Sequence, residues 1–188
     1  MAKMFARIEQ AHREFIGRQK IFFNASAAAD GRVNVSPRAA ALLRVLDDHR
    51  VIYLDLTGSG NETAAHVRVT GRLTLMFCAF EGAPMILRLY GTGRILCRGG
   101  AEYADLLAAQ FADVEPPGAR QMVELRVDLV QTSCGYNVPL FQYVAERDTL
   151  MRWAESKGPE GLESYRRNTN ARSIDNLPTG MFEESAIS

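Results

Sequence analysis

The stretch RLTLMFCAF (72–80), EGAP (81–84), MILRLYGTGRILC (85–97) reads as two long strands joined by a short Gly/Pro link. Gly91 and Gly93 inside the second strand mark a bulge or a barrel corner. Working outward, Arg50–Leu56 (RVIYLDL) is another strand, and Gln121–Val130 (QMVELRVDLV) alternates as a strand with one wet face. Towards the amino end, Lys20–Ala28 is strand-like and Asp30-Gly31 is a strong hairpin signal. Arg32–Ser36 alternates polar and apolar residues, and Pro37 is expected to end that strand.

Helical spacing appears at the ends and in two insertions. Met4, Ile8, Ala11, Phe15 and Ile16 predict an amphipathic helix over 3–17. Glu62–Val69 reads as a short helix stopped by Gly71, and Ala101–Phe111 as a second. Glu146–Ser156 and Pro159–Arg167 predict further helices, with Pro159 near a helix start. Residues 168–188 are polar and weakly patterned, an arm or a disordered end. Strands and helices do not alternate strictly, so a doubly wound parallel sheet does not fit. The expected fold is mainly β with peripheral helices, an antiparallel barrel of six strands in one domain over 1–188.

Composition bounds the function. The chain has 188 residues, 22 basic against 22 acidic, so bulk charge does not suggest nucleic-acid binding. No apolar run reaches the roughly 20 residues of a membrane span, and the first twenty residues lack the apolar core of a signal peptide. Three cysteines, Cys78, Cys97 and Cys134, form no CxxC pair, and the three histidines have no metal-ligand spacing. No metal, a reducing cytoplasmic compartment and apolar surroundings for two of the thiols are expected.

Three segments carry candidate chemistry. Thr57-Gly-Ser-Gly-Asn-Glu-Thr63 lies between a strand and a helix. Gly58 and Gly60 let backbone amides approach an anion, the helix start adds unpaired N–H groups, and Ser59, Asn61 and Thr63 add side-chain donors. The same residues also fit a plain turn in which Ser59 or Asn61 caps the helix. Asn34 and Ser36 share one face of a strand, and Arg38 follows as a bidentate phosphate partner or a solvated cation. Gln131-Thr-Ser133-Cys134-Gly-Tyr136 packs donors and one aromatic beyond a strand end, suited to lining a site or a dimer seam. No catalytic side chain stands out.

Taken in order, Gly31–Arg38, Tyr53–Thr63, Leu73–Gly82, Val130–Pro139 and Asn170–Pro178 resemble the flavin-binding, pyridoxamine-phosphate-oxidase-like family. The resemblance covers about residues 12–180. It implies a six-stranded split barrel that dimerises, with two flavin mononucleotide (FMN) sites in the clefts between subunits. Asn34, Ser36, Arg38, Thr57, Ser59, Asn61 and Thr63 would line the FMN from one subunit. Gln131, Ser133 and Arg172 would come from the other. It further implies an oxidoreductase using a small-molecule substrate or a nicotinamide nucleotide. The alternative is a non-enzymatic flavin- or haem-binding module. One departure is plain: the oxidases carry a Ser-Arg-Lys phosphate clamp where this chain reads Asn61-Glu62-Thr63. Arg38 or another arginine would have to replace the missing cation.

Overall fold

A computed structural model describes residues 2–182. Its strands are β1 (Lys3–Phe5), β2 (Ile21–Ser26), β3 (Asn34–Ala39), β4 (Leu43–Val45), β5 (Arg50–Leu56), β6 (Arg72–Cys78), β7 (Ile86–Cys97) and β8 (Ala119–Ser133). The helices are α1 (Gln10–Arg18), α2 (Glu62–Thr70), α3 (Ala101–Phe111) and α4 (Thr149–Thr169). Seven strands run in the order β3-β2-β6-β7-β8-β5-β4, and β1 pairs with the far end of β8. Every pairing is antiparallel.

That order forces curvature. Strands sit ~4.8 Å apart, so seven laid flat would hold their outer members ~29 Å from each other. Here the outer members β3 and β4 are joined only by the 3-10 turn Ala40–Leu42, which spans roughly 14 Å even when extended. The sheet must curl until its edges approach each other, which makes an antiparallel half-barrel. Gly91 marks the sharpest bend: the β7–β8 register shifts between Tyr90 and Gly91, and a Cβ there would lie 1.8 Å from the Arg126 carbonyl oxygen.

The strand β5 explains why its sequence is a continuous apolar run. Val51 and Tyr53 point into the barrel with Phe22, Leu75, Phe77 and Leu89. Ile52 and Leu54 point outward, where Tyr103, Leu107 and Phe111 of α3 cover them. Each full burial contributes about 1.5–3 kcal/mol. The first half of β8 is covered on both faces in the same way, so the expected wet face exists only beyond Leu125. That strand is also longer than its alternation suggested.

Other expectations need correction. The sheet has seven strands in its main order, not six, because β4 is too short to show any period. Lys3–Phe5 is a strand paired with Val130–Thr132, and the helix starts only at Gln10. Pro37 does not end its strand: β3 continues to Ala39. It is an edge strand, where a proline need cost no ladder bond. Cys78 is buried, but Cys97 is exposed. The last two predicted helices merge into α4 with a break at Gly158 (φ 64°), after which Pro159 opens the second part. The polar tail is an arm packed on its own chain as far as Phe182, with Asn170, Ser173 and Thr179 buried. Residues 183–188, the end of the predicted arm, lie outside the described residues.

Candidate functional site

The loop between β5 and α2 is the centre of the site. Asn61 precedes α2 but its side chain does not cap it. It accepts instead from Gln121 Nε2 at 2.8 Å. The capping alternative is therefore set aside, and the first-turn N–H groups of α2 keep their positive end of the helix dipole. Glu62, the residue most hostile to an anion there, is held aside. Both its oxygens accept from the Ile174 N–H at 3.1 Å.

A cavity of about 670 Å³ opens at this helix start, within the usual range for ligand pockets. Asn34, Ser36, Arg38, Ser59, Thr63 and Arg172 all line it. Six of the ten residues chosen from sequence thus meet in one place. Thr57 and Asn61 are buried beneath the same loop. Thr57 donates to the Gly118 carbonyl at 2.8 Å. These two build the loop and do not line the cavity.

Gln131 and Ser133 lie elsewhere, on the far end of β8. Gln131 accepts from the Tyr90 hydroxyl at 3.2 Å, and Ser133 from Arg88 at 3.3 Å. Arg172 was expected from a second subunit. It lines this chain's own cavity, because the arm after α4 folds back and closes with the bridge Arg172↔Pro178.

Hydrogen bonds organise the polar floor of the cavity. Asn24 donates to Thr63 Oγ1 at 2.6 Å, Asn34 reaches both Thr63 Oγ1 and Ser26 at 3.2 Å, and Ser36 donates to Asn34 at 2.9 Å. Arg38 donates through Nε to Asn24 at 3.3 Å and sits 3.2 Å from the Asp55 carboxylate through Nη2. Asp55 also accepts from Arg120 Nε at 2.9 Å and from Gln121 at 2.8 Å. Arg120 continues to the Gly60 carbonyl and to Asn170 Oδ1, at 2.9 and 2.8 Å.

A chain of contacts buried at Asp55 and Arg120, Arg38–Asp55–Arg120–Gly60, therefore ties the cation of β3 to the glycine loop. Burial works against the Asp55 carboxylate, but Arg120 and Arg38 outweigh it and hold its pKa below the ordinary value.

Sequence reading missed Asp55, Arg120, Gln121, Asn24 and Asn170. Only Asp55 left a local trace, as the one carboxylate in the apolar run RVIYLDL. Its partners lie 65 and 66 residues away, at a register no local pattern discloses. Buried on the inward side of α2, His66 meets Ser26 Oγ at 3.1 Å through Nδ1. Among the described residues, no group of three or more His, Cys, Asp or Glu side chains could hold a metal ion, and no helix is long and apolar enough to cross a membrane.

Residues 8–134 match the family model described as pyridoxamine 5'-phosphate oxidase. The chain belongs to the pyridoxamine 5'-phosphate oxidase family. It is 36% identical over 182 residues to the family protein ustO of Aspergillus flavus, covering 88% of this chain and 73% of that one. Among solved structures, HupZ of Group A Streptococcus has a similar fold (TM-score 0.55, 21% identity, 67% of this chain and 99% of that one). So does a Clostridium acetobutylicum protein related to general stress protein 26 (TM-score 0.50, 13% identity, 73% and 92%). The family match ends inside the Gln131–Tyr136 segment. It therefore spans the strands and loop of the cavity but not α4 or the arm bearing Arg172.

Proposed function

We propose that the cavity beside α2 binds FMN and that the protein is a flavin-dependent oxidoreductase acting as a homodimer. The observation that carries this is the donor set. Two arginines, three serines, two threonines and an asparagine line one pocket at the free amino end of a helix. Arg38, Arg172, Ser59 and the first-turn N–H groups of α2 suit a phosphate. Asn34, Ser36 and Thr63 suit the hydroxyls of a sugar-alcohol chain. The clamp missing from the loop is replaced by cations from β3 and from the arm.

Bound FMN supplies two-electron redox chemistry, while the chain supplies orientation and exclusion of water. The floor hydrogen bonds fix the directions of Asn34, Ser36 and Arg38 before any ligand arrives, which lowers the ordering cost of binding. No side chain lining the cavity is a ready general base, since Glu62, its one carboxylate, is committed to Ile174. Gln131 and Ser133 face away from this chain's cavity, and in the proposed dimer they complete the partner's site. Exposed Val35 on the edge strand, with Val33 just before it, is apolar surface of the kind a second subunit covers.

The test is an absorption spectrum of the purified protein followed by FMN titration. A bound flavin spectrum is expected. Arg172→Gln, exposed and outside the buried network, should weaken FMN by roughly ten- to a hundredfold, the worth of one charge-assisted bond. Lack of FMN binding by the wild type overturns the reading, and a Soret band would replace it with a haem-binding module. A monomer by light scattering with flavin bound would remove the shared-site part alone.

A further inference from the structure

A second cavity, of about 640 Å³, shares no lining residue with the first. It lies among α2, β7, the start of β8, α4 and the end of the arm. Six arginines line it against one carboxylate, Glu163. Most of these cations have acidic partners. Arg94 bridges Glu102 and Glu124, Arg98 holds Glu115, Arg120 holds Asp55, and Arg167 holds Glu163.

Arg166 is different. It is 9% exposed, and no carboxylate lies within ion-pair distance of it among the described residues. Its Nε donates to Thr57 Oγ1 at 2.8 Å, and its Nη2 to the carbonyls of Ala119 and Gly118 at 2.9 and 3.3 Å. All three acceptors are neutral. Burial and then the like charge of Arg98 depress its pKa, only partly offset by Glu163 and Glu115. A desolvated cation without a counter-charge is costly, and an anion in the adjoining space would relieve it. The Nη1 group makes no hydrogen bond among the described residues, so one edge of the guanidinium remains for a ligand. Apolar walls stand nearby in Ile95, Met181 and Phe182, and the Arg167 guanidinium lies 4.5 Å from the Phe182 ring centre.

We propose that this cavity binds a phosphate dianion through Arg166, Arg98 and Arg167. The ligand is either inorganic phosphate or a monoester whose apolar body rests on Ile95, Met181 and Phe182. Guanidinium forks match phosphate oxygens in pairs, and several of them around one pocket favour a doubly charged group over a single carboxylate. The assignment goes beyond the flavin reading and does not depend on it.

Calorimetric titrations with inorganic phosphate and with phenyl phosphate, against sodium chloride at equal ionic strength, test it. One equivalent of phosphate is expected to bind to the wild type outside any flavin site. Its affinity should fall at least tenfold in Arg166→Gln and in Arg98→Gln/Arg167→Gln. The double variant changes only exposed side chains, so it keeps the test open if the buried substitution does not fold. Its FMN affinity should stay within about twofold of wild type. Tighter binding of phenyl phosphate would identify a monoester ligand, and equal binding free phosphate. Unchanged phosphate affinity in both variants, or an equal response to chloride, overturns the assignment.

Discussion

Replacing Asp55 by asparagine should be among the most damaging isosteric changes available in this chain. The side chains of Asp55 and Arg120 are each 1% exposed. Asparagine keeps an oxygen for one donor but removes the charge that balances both Arg120 and Arg38. Leaving a buried cation unpaired costs about 3–5 kcal/mol, a large share of a total near 5–15 kcal/mol. With a urea slope of ~2.5 kcal/mol/M, the unfolding midpoint should drop by roughly 1–2 M. The assay is urea unfolding at one fixed protein concentration, because any dimer adds a concentration term.

The pH dependence sharpens that test. The folded pKa of Asp55 lies below its ordinary 3.8. Its contribution is therefore complete above about pH 3.8 and is lost as pH falls through the lower folded value. The gap between wild type and Asp55→Asn should be flat from roughly pH 5 to 8 and close only in strong acid. A loss below about 1 kcal/mol would refute the idea that the carboxylate holds the two arginines at a net gain, and would put the network with buried pairs that merely break even.

Two further outcomes follow from local geometry. Glu9 N donates to His12 Nδ1 at 3.0 Å in the capping box of α1, and burial, opposed by Glu9, lowers the His12 pKa. That cap is intact above the ordinary value of 6.5 and is lost as pH falls through the lower folded value. Thermal melts should show a drop of about 2–4 °C on acidification that His12→Gln lacks, from a cap worth about 1 kcal/mol. Identical pH profiles would exclude it. For the glycines, Gly91→Ala should cost about 3 kcal/mol or fail to fold, since its Cβ meets the Arg126 carbonyl. Gly58→Ala meets nothing within 4 Å and should leave stability within about 0.5 kcal/mol while weakening FMN, because Gly58 lines the cavity. Titration and melts on the same samples separate these effects, and unaltered FMN affinity would remove the loop from the site.

The barrel was legible where period and punctuation agreed. The hairpin at 72–97, the helix Ala101–Phe111 and the Gly71 stop of α2 all stand as read, Gly71 with φ +67°. Failures fall where tertiary contact decides. Lys3–Phe5 is a strand only because β8 extends past β5 and leaves Val130–Thr132 an open edge. Alternation in Gln121–Val130 suggested one wet face, yet α3 covers part of it, and no local pattern reports a helix packed from elsewhere. Arg172 sat in a tail with little pattern. Its place in the cavity depends on the arm's return across α2, pinned by Glu62 to Ile174 and by Asp175 to Arg32.

The missing clamp is the most instructive case. A loop that carries its own arginine and lysine holds a phosphate by local means. In the proposed FMN site the loop contributes glycines, a serine and an aligned helix end, while the cations lining the same cavity belong to β3 and to the arm. Long-range positioning needs rigid support, and the chain from Arg38 through the buried Asp55 and Arg120 to the Gly60 carbonyl provides it. The same chain exposes the arrangement to distant damage. A change at Asp55, which does not line the cavity, should disturb Arg38 as surely as a change among the lining residues. Positioning in this protein is thus a property of the barrel floor, and the residues that decide it are those a local motif cannot show.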